Sequence, residues 1–147
     1  MGKQNKFNFK KIEQGGRTAM ERSIILIGNE AKVFFVNSFR LQGFEDRSVQ
    51  KWTPRKKQDK KRSGRAILVD SGDLRRSIIR EPVNKSQLSV KISTDLPYAK
   101  IHNEGGMGNA WGRAPFKMPK RQFMGDSYKL NENCKKIIIS QLDRIFK

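Results

Sequence analysis

The chain has 147 residues, of which 32 are Lys or Arg and 14 are Asp or Glu, giving a formal charge of +18. That length suits one domain (1–147) able to bury roughly 70% of its unfolded surface, and 35% hydrophobic with 31% charged residues is lean but above the disordered range. One cysteine, Cys134, and one histidine, His102, exclude an internal disulfide, a thiol-cluster metal site and a Cys/His zinc motif.

The opening residues Met1 to Lys6 show neither an apolar core nor a small-residue cleavage site, so no secretory signal is expected. The first sixteen residues read as a flexible arm ending at Gly15-Gly16. From Arg17 to Leu41, Met20, Ile24, Ile27, Ala31, Phe34, Phe35 and Phe39 recur at steps of three and four, which predicts one buried helical stripe. About 25 residues make a helix of roughly 37 Å, with Gly43 as its stop. Ser23 to Asn29, the longest uncharged apolar-leaning run, is far too short to span a bilayer, so no membrane partner is expected.

Residues 47–65 carry +8 and residues 113–121 carry +4, two thirds of the net charge in 28 positions. The run from Arg55 to Arg62 repels itself and cannot pack in a core, so 47–65 reads as an extended loop, mobile in the free chain. Its clustering points to contact with nucleic acid or an acidic protein. The contact candidates are Trp52, Arg55, Lys56, Lys57, Lys60, Lys61, Arg62 and Arg65 there, with Trp111, Arg113, Lys117 and Arg121 in the second basic stretch. Tryptophan beside cations can stack on bases, and it more often anchors a loop.

After a short apolar run, Asp70-Ser71-Gly72-Asp73 reads as a helix start, since Asp70 or Ser71 can accept first-turn N–H groups. A short helix runs from Leu74 to Ile79. Leu88, Val90 and Ile92 alternate with polar residues as a half-buried strand, paired with one through Val83 across Asn84-Lys85-Ser86. Tyr98 and Ile101 suggest one helical turn. Gly105, Gly106, Gly108 and Gly112 mark a loop over 105–117 with no regular element. Ser127 to Phe146 repeats helical spacing through Leu130, Cys134, Ile137, Ile138, Leu142 and Ile145. The expected fold is α+β, a small antiparallel sheet packed under a long N-terminal and a C-terminal helix, with long basic and glycine-rich loops.

Tests for chemistry come out negative. No P-loop spacing occurs, and the glycines at 106 and 108 lack the third glycine of a dinucleotide fingerprint, since 111 is Trp. His102 and Glu104 with Tyr98 nearby could form an acid–base pair, but a lone His beside a turn is more often structural. Cys134 lies on an apolar stripe with no base to activate it. Neither an enzyme nor a cofactor is expected.

Three motifs in order carry a resemblance. Leu68-Val69-Asp70-Ser71-Gly72-Asp73-Leu74-Arg75-Arg76-Ser77-Ile78, Tyr98-Ala99-Lys100-Ile101-His102-Asn103-Glu104-Gly105-Gly106 and Met118-Pro119-Lys120-Arg121-Gln122-Phe123-Met124-Gly125 resemble the phage virion-morphogenesis, or tail-completion (head–tail joining), family of Mu-like and P2-like phages and related prophages. The resemblance implies a structural virion protein, a subunit of a homo-oligomeric ring, whose partners are itself and tail-tube and head-connector proteins; the basic charge leaves nonspecific DNA open as a further partner. Its expected place is the host cytoplasm during assembly, then the virion neck or tail end. Asp70, Ser71, Gly72, Leu74, Ser77, Tyr98, His102, Gly105, Gly106, Pro119, Phe123 and Gly125 are its structural positions, and Arg121 and Phe123 the candidates for reaching a neighbour or locking the last helix. A positive ring lumen would hold passing DNA and slow its exit, which favours an acidic partner for the basic loop. The alternative is a nucleic-acid-binding module without sequence preference.

Overall fold

The computed structural model describes residues 7–56, 64–109 and 114–147. Helix α1 spans Phe9–Leu41, 33 residues or about 50 Å at 1.5 Å per residue. The Asn8 side chain caps it, accepting from the Lys11 N–H at 3.1 Å. The helix therefore begins ahead of the expected start and runs through Gly15 and Gly16. Gly15 is there for closeness: a Cβ would stand 2.7 Å from Ile145 Cγ2 in the last helix. The helix ends at Gln42, in the left-handed region at φ 52°, rather than at Gly43. The Gln42 side-chain amide is held there by donating to the Phe39 and Ile67 carbonyls at 2.6 and 3.1 Å and accepting from the Ile67 N–H.

Strands β1 (Gly43–Glu45) and β2 (Val49–Lys51) pair antiparallel, Phe44 opposite Gln50. Helix α2 is Asp73–Ser77; β3 (Ile79–Arg80) then pairs with β4 (Ile92–Ser93), with a further bridge between Asn84 and Ser89. Helix α3 covers Ala99–Glu104, and β5 (Gly106–Gly108) pairs with β6 (Phe116–Met118). Helix α4 is Tyr128–Phe146. The fold is α+β. Among the described residues the strands form three separate two-stranded ribbons rather than one sheet. The second differs from the expected pairing of Val83 with the Leu88–Ile92 strand, and the third falls almost wholly within the stretch 105–117 expected to hold no regular element. Glycine does not bar a strand where the partner supplies the ladder.

Helices α1 and α4 pack antiparallel: Gly15 meets Ile145, while the Asn133 amide donates to Glu30 at 2.8 Å. The stripe is shifted from the expected one. Ala19 and Ser23 are buried, while Met20, Ile24 and Ile27 are only half-buried, because small residues allow two helices to approach. The start of α4 is tied to β1. Ser127 accepts from the Leu130 N–H and donates to the Glu45 carbonyl at 2.8 Å, and Asp46 accepts from the Tyr128 N–H. Asp46 thus caps a helix, where it complements the dipole; it is not a free surface charge.

Two apolar clusters result. Ala31, Phe34, Phe35, Phe44 and Leu130 join α1, β1 and α4. Phe39, Trp52, Leu74, Ile78, Ala99 and Phe123 join the end of α1 to α2, α3 and the segment before α4. Cys134 packs against the first cluster, where burial and, secondarily, the Glu30 charge push its thiol pKa up. That keeps it protonated and unreactive at neutral pH.

Candidate functional site

The three sequence motifs, far apart along the chain, meet at the second apolar cluster. The third motif is the tie. The Arg121 N–H donates to the His102 carbonyl at 2.9 Å, and the Phe123 and Met124 N–H groups both donate to Asn103 Oδ1 at 2.9 and 3.0 Å. The Gln122 carbonyl accepts from Trp52 Nε1 at 2.7 Å, and the Phe123 carbonyl from Ser38 Oγ at 3.3 Å. Asn103 was not singled out from sequence, although it sits within the second motif and its single oxygen holds two backbone donors.

In the first motif, Gly72 (φ 80°) is the N-cap position of α2, and the Ser71 hydroxyl donates to Asp73 while accepting weakly from the Asp73 N–H. The Ser71 bond, then the Arg76 guanidinium, lower the Asp73 pKa. Asp70 is paired with Arg65 at 2.8 Å rather than capping the helix. Leu74 is core, and Ser77 donates to the Leu74 carbonyl and shares a hydrogen bond with Thr94 at 2.6 Å. In the second motif the exposed Tyr98 ring meets His102 edge-on at 5.9 Å. Gly105, Gly106 and Gly125 all have positive φ. Pro119 is half-buried.

Two of the expected contact residues are interior. Trp52 is 5% exposed and packs edge-on against Phe39 at 5.5 Å, with its N–H spent on Gln122. An indole in that position anchors the chain and offers no face for a base. Arg121 is 7% exposed and donates through Nε to the Thr53 carbonyl at 3.1 Å. The fully buried Phe123 does not reach the surface, and the backbone and Nε bonds of Arg121 help lock the third motif in place. Arg55 is half-buried and donates to the Arg65 and Ala66 carbonyls, while Lys56, Arg65 and Lys117 are exposed. Lys57, Lys60, Lys61, Arg62, Trp111 and Arg113 lie outside the described residues.

A cleft of about 350 Å³ opens where the motifs converge. Leu68 and Asp70 to Leu74 line it from the first motif, Tyr98 and His102 from the second, Met118 and Arg121 from the third, and Arg55 from the basic segment. His102 Nδ1 is buried with no hydrogen-bond partner among the described residues. Burial, with the Arg121 charge second, holds the His102 pKa below its ordinary value.

The unfolded chain therefore takes up this proton more readily than the folded one. The stability tied to the neutral ring is complete above about pH 6.5, the ordinary imidazole value, and is lost as the pH falls from there through the lower folded value. Denaturant titrations on either side of this window should show wild type losing more stability on acidification than His102→Gln. Equal losses in the two proteins would remove His102 as the source. Glu104, its suggested catalytic companion, is exposed. No group of three or more His, Cys, Asp and Glu able to hold a metal occurs among the described residues, and no helix there is long and apolar enough to cross a membrane.

What the fold defines, then, is a small α+β protein in which three dispersed motifs knit one unit around a cation-bearing cleft. A family model described as the phage virion morphogenesis family matches residues 42–143, from the end of α1 almost to the end of α4. The chain belongs to the phage virion morphogenesis family. No curated protein and no solved structure gives a significant match.

Proposed function

We propose that the protein is a structural subunit of a phage or prophage virion, acting at tail completion or head–tail joining within a ring of identical copies, and that its basic surface docks on an acidic protein partner. The observation that carries this reading is the family match over residues 42–143, which takes in all three motifs knitted together in the fold. Its work is contact between polypeptides. Most of its charge lies in two short segments on an otherwise nearly balanced chain, an arrangement that steers encounter with an oppositely charged surface. A ring of such subunits closes through heterologous contacts.

Deleting the gene from an inducible phage and imaging the lysate by electron microscopy tests the role. Separate heads and tails, or tails with unfinished ends, are expected; normal infectious particles would refute it. Native mass measurement of the purified protein, alone and with virion fractions, tests the ring, which requires a closed, fixed multiple of the 17.0 kDa chain. Tight binding to any duplex with a steep loss against salt would instead favour the nucleic-acid module.

A further inference from the structure

The docking function proposed above leaves open where an acidic partner is held, and the surroundings of Arg121 answer it. Arg121 is 7% exposed, yet among the described residues it makes no ion pair. Its Nε is engaged by the Thr53 carbonyl, and a second guanidinium, Arg55, lines the same space. Buried charges in proteins are normally paired, because removing an ion from water is costly. The carboxylates on the motif side are already engaged, Asp70 with Arg65 at 2.8 Å and Asp73 with Arg76 at 2.6 Å.

Arg55 and Arg121 also line an adjoining cavity of about 440 Å³. There they are joined by Lys56 and Lys117, the remaining described lining is Thr53, Pro54 and Pro119, and no carboxylate is among these described residues. Among the described residues four cations thus converge without an anion, with two proline rings that can receive the methylenes of an incoming side chain. A guanidinium fork pairs with a planar carboxylate through two parallel bonds. The burial of Arg121 selects a slender group over a duplex, whose phosphates sit on a wide rod.

We propose that the cavity lined by Arg55, Lys56, Lys117 and Arg121 is a receptor for a Glu or Asp side chain carried on an acidic segment of a virion partner protein. The test uses the full chain and a short fluorescent peptide of alternating Glu and Gly, read by anisotropy at physiological salt. Arg121→Lys keeps the net charge but loses the fork, and should weaken the peptide by about tenfold or more. Lys117→Gln, at an exposed position, should weaken it by about threefold, and Lys85→Gln, an equal charge loss in a turn that lines neither cavity, should leave it unchanged. Should Arg121→Lys fail to fold by circular dichroism, Arg55→Lys and Lys117→Gln carry the test, each weakening the peptide by about threefold while Lys85→Gln leaves it unchanged.

Equal weakening by Lys85→Gln and Lys117→Gln would reduce the effect to bulk charge and overturn the site. So would peptide binding by Arg121→Lys equal to wild type, or a short duplex that displaces the peptide with higher affinity. Failure here is separable from failure of the virion role. If gene deletion blocks assembly while the peptide ignores Arg121 and Lys117, the role stands and this site falls. If the peptide discriminates but deletion leaves particles normal, the site stands and the role falls.

Discussion

Phe39→Ala should destabilise the protein by about 3–5 kcal/mol, a large share of the roughly 5–15 kcal/mol by which domains are stable. Phe39 is 2% exposed, and its ring lies 5.5 Å from Trp52 and 5.3 Å from Phe123. It joins α1 to two segments distant in sequence, while Leu74, Ile78 and Ala99 of the same cluster bring in α2 and α3. Removing the ring leaves a cavity bounded by elements each already held by backbone hydrogen bonds, so collapse to fill it is limited. Urea denaturation followed by circular dichroism should show a lower midpoint with an unchanged slope. Val33→Ala, on the same helix but 65% exposed, should change stability by no more than about 0.5 kcal/mol. A Phe39→Ala cost near that of Val33→Ala would mean that the second cluster does not bind the motifs together.

Gly105→Ala should cost roughly 2–6 kcal/mol, from backbone strain and overpacking together. Its φ of 73° and ψ of −170° fall in a region that is essentially confined to glycine. A Cβ there would also stand 2.8 Å from the Lys120 nitrogen and 3.0 Å from both Lys120 Cα and the Met118 carbonyl oxygen, all backbone atoms. They cannot swing aside as a side-chain tip would, and they adjoin Arg121, whose N–H bonds back to His102. The damage should therefore reach the cation-bearing cleft as well as global stability. Gly106→Ala provides the contrast: φ is 121° but nothing lies within 4 Å of a Cβ, so only the strain remains. Thermal melts of the two variants should rank Gly105→Ala clearly below Gly106→Ala, and the reverse order would place the constraint in dihedral strain alone.

The two long helices were readable because amphipathic spacing is local, and their apolar periods appear in any window of the chain. The convergence of motifs was not readable. Trp52 and Arg121 looked like contact residues because both lie in basic stretches; each is interior because of a bond to a residue about seventy positions away, Trp52 to Gln122 and Arg121 to Thr53. Gly15 shows the same limit. A glycine pair reads as a helix boundary by propensity, whereas packing against Ile145 makes Gly15 the residue that lets α4 approach. Asn103 carried no signal, since one amide oxygen accepting two N–H groups is visible only when the third motif lies against it.

The amino-acid order alone settled the α+β class, the two long helices and the family, because apolar period and motif residues belong to short stretches of chain. Tertiary structure decided which cations stay outside and which are drawn in, that the strands form three ribbons, and that Arg55 and Arg121 share two adjoining cavities. Those outcomes depend on the burial and desolvation of groups remote in sequence, and a charge takes its meaning from what surrounds it after folding.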